Sequence, residues 1–115
     1  MAWPTLVAIR QAVRPLTNKE IEAAVATALG LTEAQRAHLK SHRGRGSRTM
    51  LDYRLAWSRT LLKNMGAITN PTPAHWTVTT SGKNTTEEDV RRFTQRMYQT
   101  LGERAEARRA ERQNR

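Results

Sequence analysis

One stretch of the chain decides the fold, RTMLDYRLAWSRTLLKNMGAITNPTPAHWTVT (residues 48–79). Its first half places apolar residues at intervals of three and four, which is the spacing of a single helix face. Gly66 follows, a residue type that commonly ends helices. We therefore predict a long helix over residues 48–65 that packs one face on earlier helices. That face consists of Leu51, Leu55, Ser58, Leu62 and Met65.

The second half of this stretch predicts a β-hairpin. Two short extended segments, residues 67–69 and 76–79, flank residues 70–75. The flanked segment contains Pro71 and Pro73, and two prolines with an asparagine in six residues favour a turn. The long helix should therefore lead directly into a hairpin.

Three helices are expected before the long one, and the first covers residues 3–14. Pro4 suits its first turn, and Pro15 ends it because proline cannot continue a helix. Its apolar face repeats at three-to-four spacing. That face consists of Leu6, Ile9 and Val13.

The second and third helices should begin with capping boxes. In the motifs TNKE (17–20) and TEAQ (32–35), the threonine hydroxyl can accept from the backbone amide three residues later, and the Glu or Gln side chain at that position can accept from the threonine amide. The second helix should end at Gly30, and the short third helix should reach about Lys40. The apolar stripe of the second helix consists of Ile21, Ala24, Val25, Ala28 and Leu29.

A polar linker is expected over residues 80–86, followed by a last helix. Thr85 or Thr86 should cap this helix, and three acidic residues in its first turn favour the helix dipole. Beyond Gly102, the charged run of residues 103–115 forms either a solvated helix or a frayed tail. The apolar stripe of the last helix consists of Val90, Phe93, Met97 and Leu101.

The order of these elements predicts the fold class. A hairpin that follows a three-helix core is the winged form of the helix-turn-helix fold, so we expect a mainly α domain with a small β-hairpin and an additional C-terminal helix. The domain should cover residues 1–82. Residues 83–101 should form a helix that packs on the core or makes a dimer contact, and residues 102–115 a basic, solvated tail.

Positive charge is concentrated in two blocks of the chain. The 115 residues include 20 basic and 10 acidic side chains, a formal net charge of +10. Residues 36–63 hold eight basic residues and one acidic residue, and residues 91–115 hold eight and three. Like charges in such blocks repel each other, and a polyanion relieves this repulsion. Nucleic acid is therefore the expected partner, with general solubility as the alternative explanation of the charge.

Three segments resemble the N-terminal winged-helix domain of Mrr-like restriction systems. The most specific one combines Arg54, the pair Trp57-Ser58 and a leucine-containing run that ends in Gly66. The resemblance extends from Thr17 to Gly82 and implies a DNA-binding module. In such systems this module is attached to a separate nuclease domain, whereas a charged helical run follows here, so the resemblance implies the binding fold alone. The segments are LTNKEIEAAVATALGLTEAQ (16–35), DYRLAWSRTLLKNMGAI (52–68) and HWTVTTSG (75–82).

The basic loop before the long helix is the expected phosphate-binding site. Gly44 and Gly46 let the backbone approach a ligand, and the amides at a helix start bind anions. A flexible, solvated loop is the alternative. The expected contact residues are Arg43, Arg45, Ser47, Arg48 and Thr49.

The open face of the long helix is expected to read the major groove, and the hairpin to reach a groove or a phosphate. On the helix the expected contact residues are Tyr53, Arg59 and Lys63. On the hairpin they are Asn70 and His75.

Four further residues are expected to act mainly in the fold. Asp52 should pair with Arg48 one helical turn earlier. Trp57 should pack between helices, and Trp76 should cover the core beneath the hairpin. Arg54 is either structural or base-reading.

The residues do not suggest an enzyme. The chain contains no cysteine, and His38 and His42 lack a third metal ligand. The acidic cluster of residues 87–89 is explained by the helix dipole. We therefore expect no catalytic activity, no metal and no cofactor.

The sequence lacks a signal peptide and a long apolar span, so we expect a cytoplasmic, nucleoid-associated protein of a prokaryotic cell or phage-infected host.

The leading hypothesis is a double-stranded DNA-binding protein, acting as a regulator or as a targeting module of a restriction, defence or phage system beside a separate nuclease or effector. The alternative is a protein-interaction adaptor or homodimer that uses the C-terminal helix. RNA binding is a weaker third hypothesis, because few aromatic residues are available for stacking.

Overall fold

The computed structural model describes residues 1–38 and 50–113, without the side chains of residues 36–38 and 50. Within these ranges the chain is mainly helical with a small antiparallel sheet, which confirms the predicted mainly α fold with a small β-hairpin. It divides into two compact units, Met1–Thr85 and Thr86–Arg115. The elements are α1 (Ala2–Gln11), β1 (Leu16–Thr17), α2 (Asn18–Ala28), α3 (Glu33–His38), α4 (Met50–Asn64), β2 (Ile68–Thr72), β3 (His75–Val78), α5 (Thr80–Asn84) and α6 (Glu87–Gln113).

The core of the first unit lies where α1 packs against α2, α4 and β3. Helix α1 buries Leu6 and Ile9 as predicted, but it ends at Gln11 rather than at residue 14. The backbone is already extended at Ala12, so Val13 lies beyond the helix and is fully exposed. The prediction that Val13 belongs to the buried face is therefore wrong.

Both predicted capping boxes are present. The Thr17 hydroxyl accepts from the Glu20 amide at 3.2 Å, and the Thr17 amide donates to the Glu20 carboxylate at 3.1 Å. Thr32 and Gln35 exchange the same two bonds at 3.1 and 2.9 Å. Helix α2 is followed by Gly30 at a φ of +67°, as expected for a residue that ends a helix. Residue 40, the predicted end of the third helix, lies outside the described residues.

The carboxylate of Glu20 also joins the start of α2 to the segment before it. It forms an ion pair with the Arg14 guanidinium. This bond, together with the Thr17 amide, lowers the pKa of Glu20 to about 2. Because it accepts from both groups as an anion, the carboxylate is stabilised in its charged form.

The residues that α2 buries differ from the predicted apolar stripe. Ile21 and Val25 are buried as expected, and Ala26 is buried with them. Ala28 and Leu29 are exposed instead, so their assignment to the buried stripe is wrong. They occupy the last turn, where the chain turns away toward Gly30.

Helix α4 buries the predicted face. Leu51, Leu55, Ser58 and Leu62 are buried, and Met65 is half-buried just beyond the helix. Gly66 has a φ of +82° and ends the helix as predicted. The predicted start at residue 48 lies outside the described residues.

The predicted hairpin is present with different strand ends. Strands β2 and β3 are antiparallel, and the turn between them is Pro73-Ala74, with Ala74 at a φ of +61°. The turn is therefore shorter than the predicted residues 70–75. Pro71 lies within β2, where the register shifts between Thr69 and Thr72. An edge strand tolerates a proline there because its free side needs no ladder hydrogen bond.

Strand β1 is an element that the sequence did not predict. It adds to the other side of β3, so that the sheet order is β1-β3-β2. Leu16 pairs with Trp76 and Thr17 pairs with His75. A strand of two residues carries no alternation pattern, and it forms only because β3 is beside it.

Residues 80–84, which were predicted to belong to a polar linker, form the short helix α5 instead. The Thr79 hydroxyl caps it by accepting from the Gly82 amide at 2.9 Å. At the other end, the Arg10 guanidinium donates to the carbonyl of Thr85 at 2.9 Å and to that of Gly82 at 3.3 Å. A distant arginine therefore satisfies carbonyl groups that the end of a short helix leaves open.

Helix α6 forms most of the second unit. Of the two caps considered, Thr86 is the one present: its hydroxyl accepts from the Asp89 amide at 3.1 Å, and its amide donates to the Asp89 carboxylate at 3.0 Å. These bonds lower the pKa of Asp89. The helix continues through Gly102 to Gln113, so residues 103–113 of the charged run are helical. The packing or dimer role of residues 83–101 stays a prediction.

Substitution of Gly82 tests the close approach of α5 to Ala67, which precedes β2, and to Val78 of β3. An added Cβ would lie 1.9 Å from the Ala67 carbonyl oxygen and 2.7 Å from a methyl carbon of Val78. We expect Gly82→Ala to lower the free energy of unfolding by about 2–3 kcal/mol, because backbone must move to admit the methyl group. Urea unfolding measures this loss.

The matched control is Gly102→Ala in α6, where an added Cβ meets nothing within 4 Å. This variant should be neutral or more stable by up to about 1 kcal/mol, because alanine favours helix. Unchanged stability of Gly82→Ala would contradict the close approach.

The Glu20 ion pair predicts a pH-dependent stability. Because the folded-state pKa of Glu20 is lowered from 4.5 to about 2, its contribution is complete above pH 4.5 and disappears as the pH falls to about 2. Glu20→Gln retains an oxygen for the capping box but has no charge. The melting temperature of wild type should exceed that of Glu20→Gln at pH 6, and the gap should close near pH 2. A gap that stays constant over this range would contradict the role of the charge.

Candidate nucleic-acid interface

The face of α4 opposite the core forms an exposed column of four residues. Tyr53 is 43% exposed and Trp57 is 45% exposed. Trp57 lies two residues after buried Leu55, about 200° further round the helix, so it cannot share the buried side. The prediction that Trp57 packs between helices is therefore wrong. We call this face the α4 column: Tyr53, Trp57, Thr60 and Asn64.

Cationic side chains flank the α4 column. Arg54 lies on one side and Lys63 on the other, and both are exposed. The half-buried Asp52 is the single acidic residue of α4. Its predicted partner, Arg48, lies outside the described residues. The column and its flanks thus combine apolar surface with positive charge.

Arg59 does not belong to this open face. It is only 6% exposed, and its guanidinium carbon lies 5.8 Å from the centre of the Trp76 ring. Arg59 follows Ser58 of the core face, so helix geometry turns it toward the hairpin. The prediction that Arg59 lies on the open face of the long helix is therefore wrong.

The indole of Trp76 joins α4 to two other elements. Its Nε1–H donates to the Asn18 side-chain oxygen at 2.8 Å, at the start of α2. The Lys63 ammonium lies 6.0 Å from the ring centre, beside the Arg59 contact. Trp76 is half-buried beneath the hairpin, close to the position expected for it. Sequence reasoning missed Asn18, because no local pattern connects it to a residue 58 positions away.

The two predicted hairpin contacts lie on different strands. Asn70 is half-buried on β2. His75 starts β3, and its Nδ1–H donates to the Pro73 carbonyl at 2.9 Å, across the turn. The hydrogen bond orients the imidazole and leaves Nε2 as its other polar atom. Their contact with DNA stays a prediction.

The predicted phosphate-binding loop lies outside the described residues. The contacts assigned to it therefore stay predictions. They concern Arg43, Arg45, Ser47, Arg48 and Thr49.

The acidic residues at the start of α6 act within the helix. Glu88 forms ion pairs with Arg91 and Arg92, which lower its pKa. Asp89 caps the first turn.

Across residues 1–38 and 50–113, no cluster of three or more histidine, aspartate or glutamate side chains is suited to hold a metal ion. None of the helices in these ranges has the length and apolar character needed to cross a membrane.

Comparison with known proteins identifies one similarity. Residues 1–88 match the family model described as the Mrr N-terminal domain. The match covers every element from α1 to the first turn of α6, and thus the whole surface described above. It confirms the resemblance inferred from the sequence. No curated protein and no solved structure matches the chain.

The burial of Arg59 predicts that its substitution acts on stability. We expect Arg59→Ala to lower the free energy of unfolding by about 1–3 kcal/mol, because the side chain's packing on Trp76 is lost. Arg54→Ala, an exposed arginine on the same helix, is the control and should change it by less than about 0.5 kcal/mol. Urea unfolding followed by circular dichroism compares them. Equal effects would contradict a structural role for Arg59.

Proposed function

Because the chain belongs to the Mrr N-terminal domain family, a domain of restriction-related proteins, we propose that it binds double-stranded DNA through α4 and the basic residues around it. The observation that carries this proposal is the composition of α4. Its exposed side presents the α4 column between Arg54 and Lys63, within the most basic part of the chain. A positively charged helix followed by a hairpin is the arrangement with which winged-helix proteins enter a major groove.

In this proposal, contacts to phosphates supply the affinity, and contacts to base edges and grooves come from α4 and the hairpin. Phosphate contacts from the loop of residues 43–49, Arg54 and Lys63 supply affinity and release counterions. The α4 column lies against base edges. The hairpin, with Asn70 and His75, contacts the neighbouring backbone or minor groove.

The Trp76 junction supports this division. Its contacts with Asn18, Arg59 and Lys63 attach the hairpin to α2 and α4. A hairpin held in this way presents its turn at a fixed position relative to α4. Both surfaces therefore approach DNA as one preformed unit, which reduces the entropy lost on binding.

We propose a binding module rather than an enzyme. Its biological role would be that of a regulator or of a targeting module in a restriction, defence or phage system, beside a separate nuclease or effector. Family membership supports the link to restriction.

A protein-interaction adaptor is the second candidate. It is favoured by α6, which exposes 56% of Tyr98 and 38% of Leu101. These side chains are apolar surface that a second copy or another protein could cover. Such binding would depend weakly on salt, whereas phosphate contacts depend on it steeply.

Salt-dependent binding tests the DNA proposal. Fluorescence anisotropy of a labelled duplex should report tight binding at about 50 mM salt and a steep loss toward about 200 mM. The double variant Arg54→Ala/Lys63→Ala should bind more weakly, and its log–log salt slope should be smaller by about 0.9 for each phosphate contact removed. Lys83→Ala, which removes one exposed positive charge from α5, is the control outside α4 and should keep the salt slope of wild type.

Two outcomes would overturn the proposal. If the folded protein does not bind any duplex at low salt, the adaptor takes first place. If Lys83→Ala and Arg54→Ala/Lys63→Ala weaken binding per charge to the same degree, the interface is not on α4. Sedimentation velocity of the same samples distinguishes a homodimer from a monomer.

A further inference from the structure

The α4 column carries no charged residue, although it lies between two cations. Tyr53, Trp57 and Thr60 follow one another at intervals of four and three residues, so their side chains are neighbours on the helix surface. Asn64 continues the column by four more residues. Phosphate groups attract cations, whereas this column offers aromatic rings, a threonine and an amide. It is therefore suited to something other than a phosphate.

The hydroxyl of Thr60 forms a hydrogen bond within the helix. The hydroxyl donates to the Ala56 carbonyl at 3.1 Å, one turn earlier in the same helix. This bond uses the only hydrogen that the hydroxyl can donate. This exposed side chain therefore offers a ligand its γ-methyl and a hydroxyl oxygen that can only accept.

The surroundings of the column point to one occupant. A ligand that fits it must carry apolar groups in a recess and negative charge on both sides, where Arg54 and Lys63 lie. The major groove of double-stranded DNA has this chemistry, since phosphates border it. Thymine carries the one apolar group that the four bases present there, its C5 methyl.

We propose that the α4 column contacts thymine methyl groups in the major groove and thereby favours A·T base pairs. Tyr53, Trp57 and the Thr60 methyl supply the apolar contacts. Asn64 fits the same base pairs, because asparagine binds the N6 and N7 edge of adenine. The column holds no arginine or lysine, the side chains that most often bind guanine. This inference rests on the proposed DNA binding and names the bases that the site reads.

Replacement of thymine by uracil tests the proposal directly. Two labelled duplexes of the same alternating A·T sequence, one with thymine and one with uracil, differ in the C5 methyl alone and have equal charge. Wild type should bind the thymine duplex more tightly, by about fourfold for each methyl group that it contacts. Trp57→Ala should show a smaller preference for the thymine duplex, because one of the three apolar contacts is lost, while its salt slope stays that of wild type.

Because Trp57→Ala could also affect folding, a second, more conservative variant tests the same contact. Thr60→Ser retains the hydroxyl bond to Ala56 and removes only the methyl group, so it should reduce the thymine preference without a change in melting temperature. Thr94→Ser is its matched control: the Thr94 hydroxyl makes the same kind of bond, to Val90 at 2.7 Å, on α6. This control should retain the full thymine preference.

The outcomes separate this inference from the proposed function. If wild type binds both duplexes equally, the thymine contact is overturned while DNA binding stands. If Thr60→Ser and Trp57→Ala keep the full preference, the methyl groups are read elsewhere and the inference also fails. If the folded protein binds no duplex at low salt, both are overturned, and the column becomes a candidate protein-binding surface.

Discussion

The contacts of Trp76 determine how the interface is assembled. Its indole donates to Asn18 at the start of α2 and lies against Arg59 and Lys63 of α4. Cation–π contacts of this kind contribute about 0.5–2 kcal/mol each, depending on how far they are removed from water. In the sheet the same residue pairs with Leu16. One side chain thus joins the hairpin to the helices that carry it.

With Trp76 in this position, three sides of α4 have different surroundings. The leucines face the core, Arg59 faces the hairpin, and Trp57 faces outward within the α4 column. An arginine at the protein interior and a tryptophan at the surface reverse the usual preference of these residue types. The reversal makes structural sense for Arg59, since it packs on Trp76. Trp57 belongs to the surface that we propose contacts DNA.

The features that local chemistry controls could be predicted from the sequence. The capping pairs Thr17–Glu20 and Thr32–Gln35 connect residues three positions apart, and the two helix-ending glycines depend only on their own backbone angle. The period of α4 likewise identified its buried face. The charge blocks and the family resemblance indicated a nucleic-acid module for the same reason, because both are properties of consecutive residues.

The remaining features depend on residues that are distant in the chain. Helix α5 has a weak helical sequence and is held by Arg10, which lies more than 70 positions away. Strand β1 exists because β3 lies beside it, and the buried Arg59 lies against Trp76 of the hairpin. The sequence by itself therefore determined the helices other than α5, the capping boxes of α2 and α3, and the basic character. Only the tertiary structure decided that Arg59 lies against the hairpin and that Trp57 is exposed, because these positions depend on partners that no local pattern identifies.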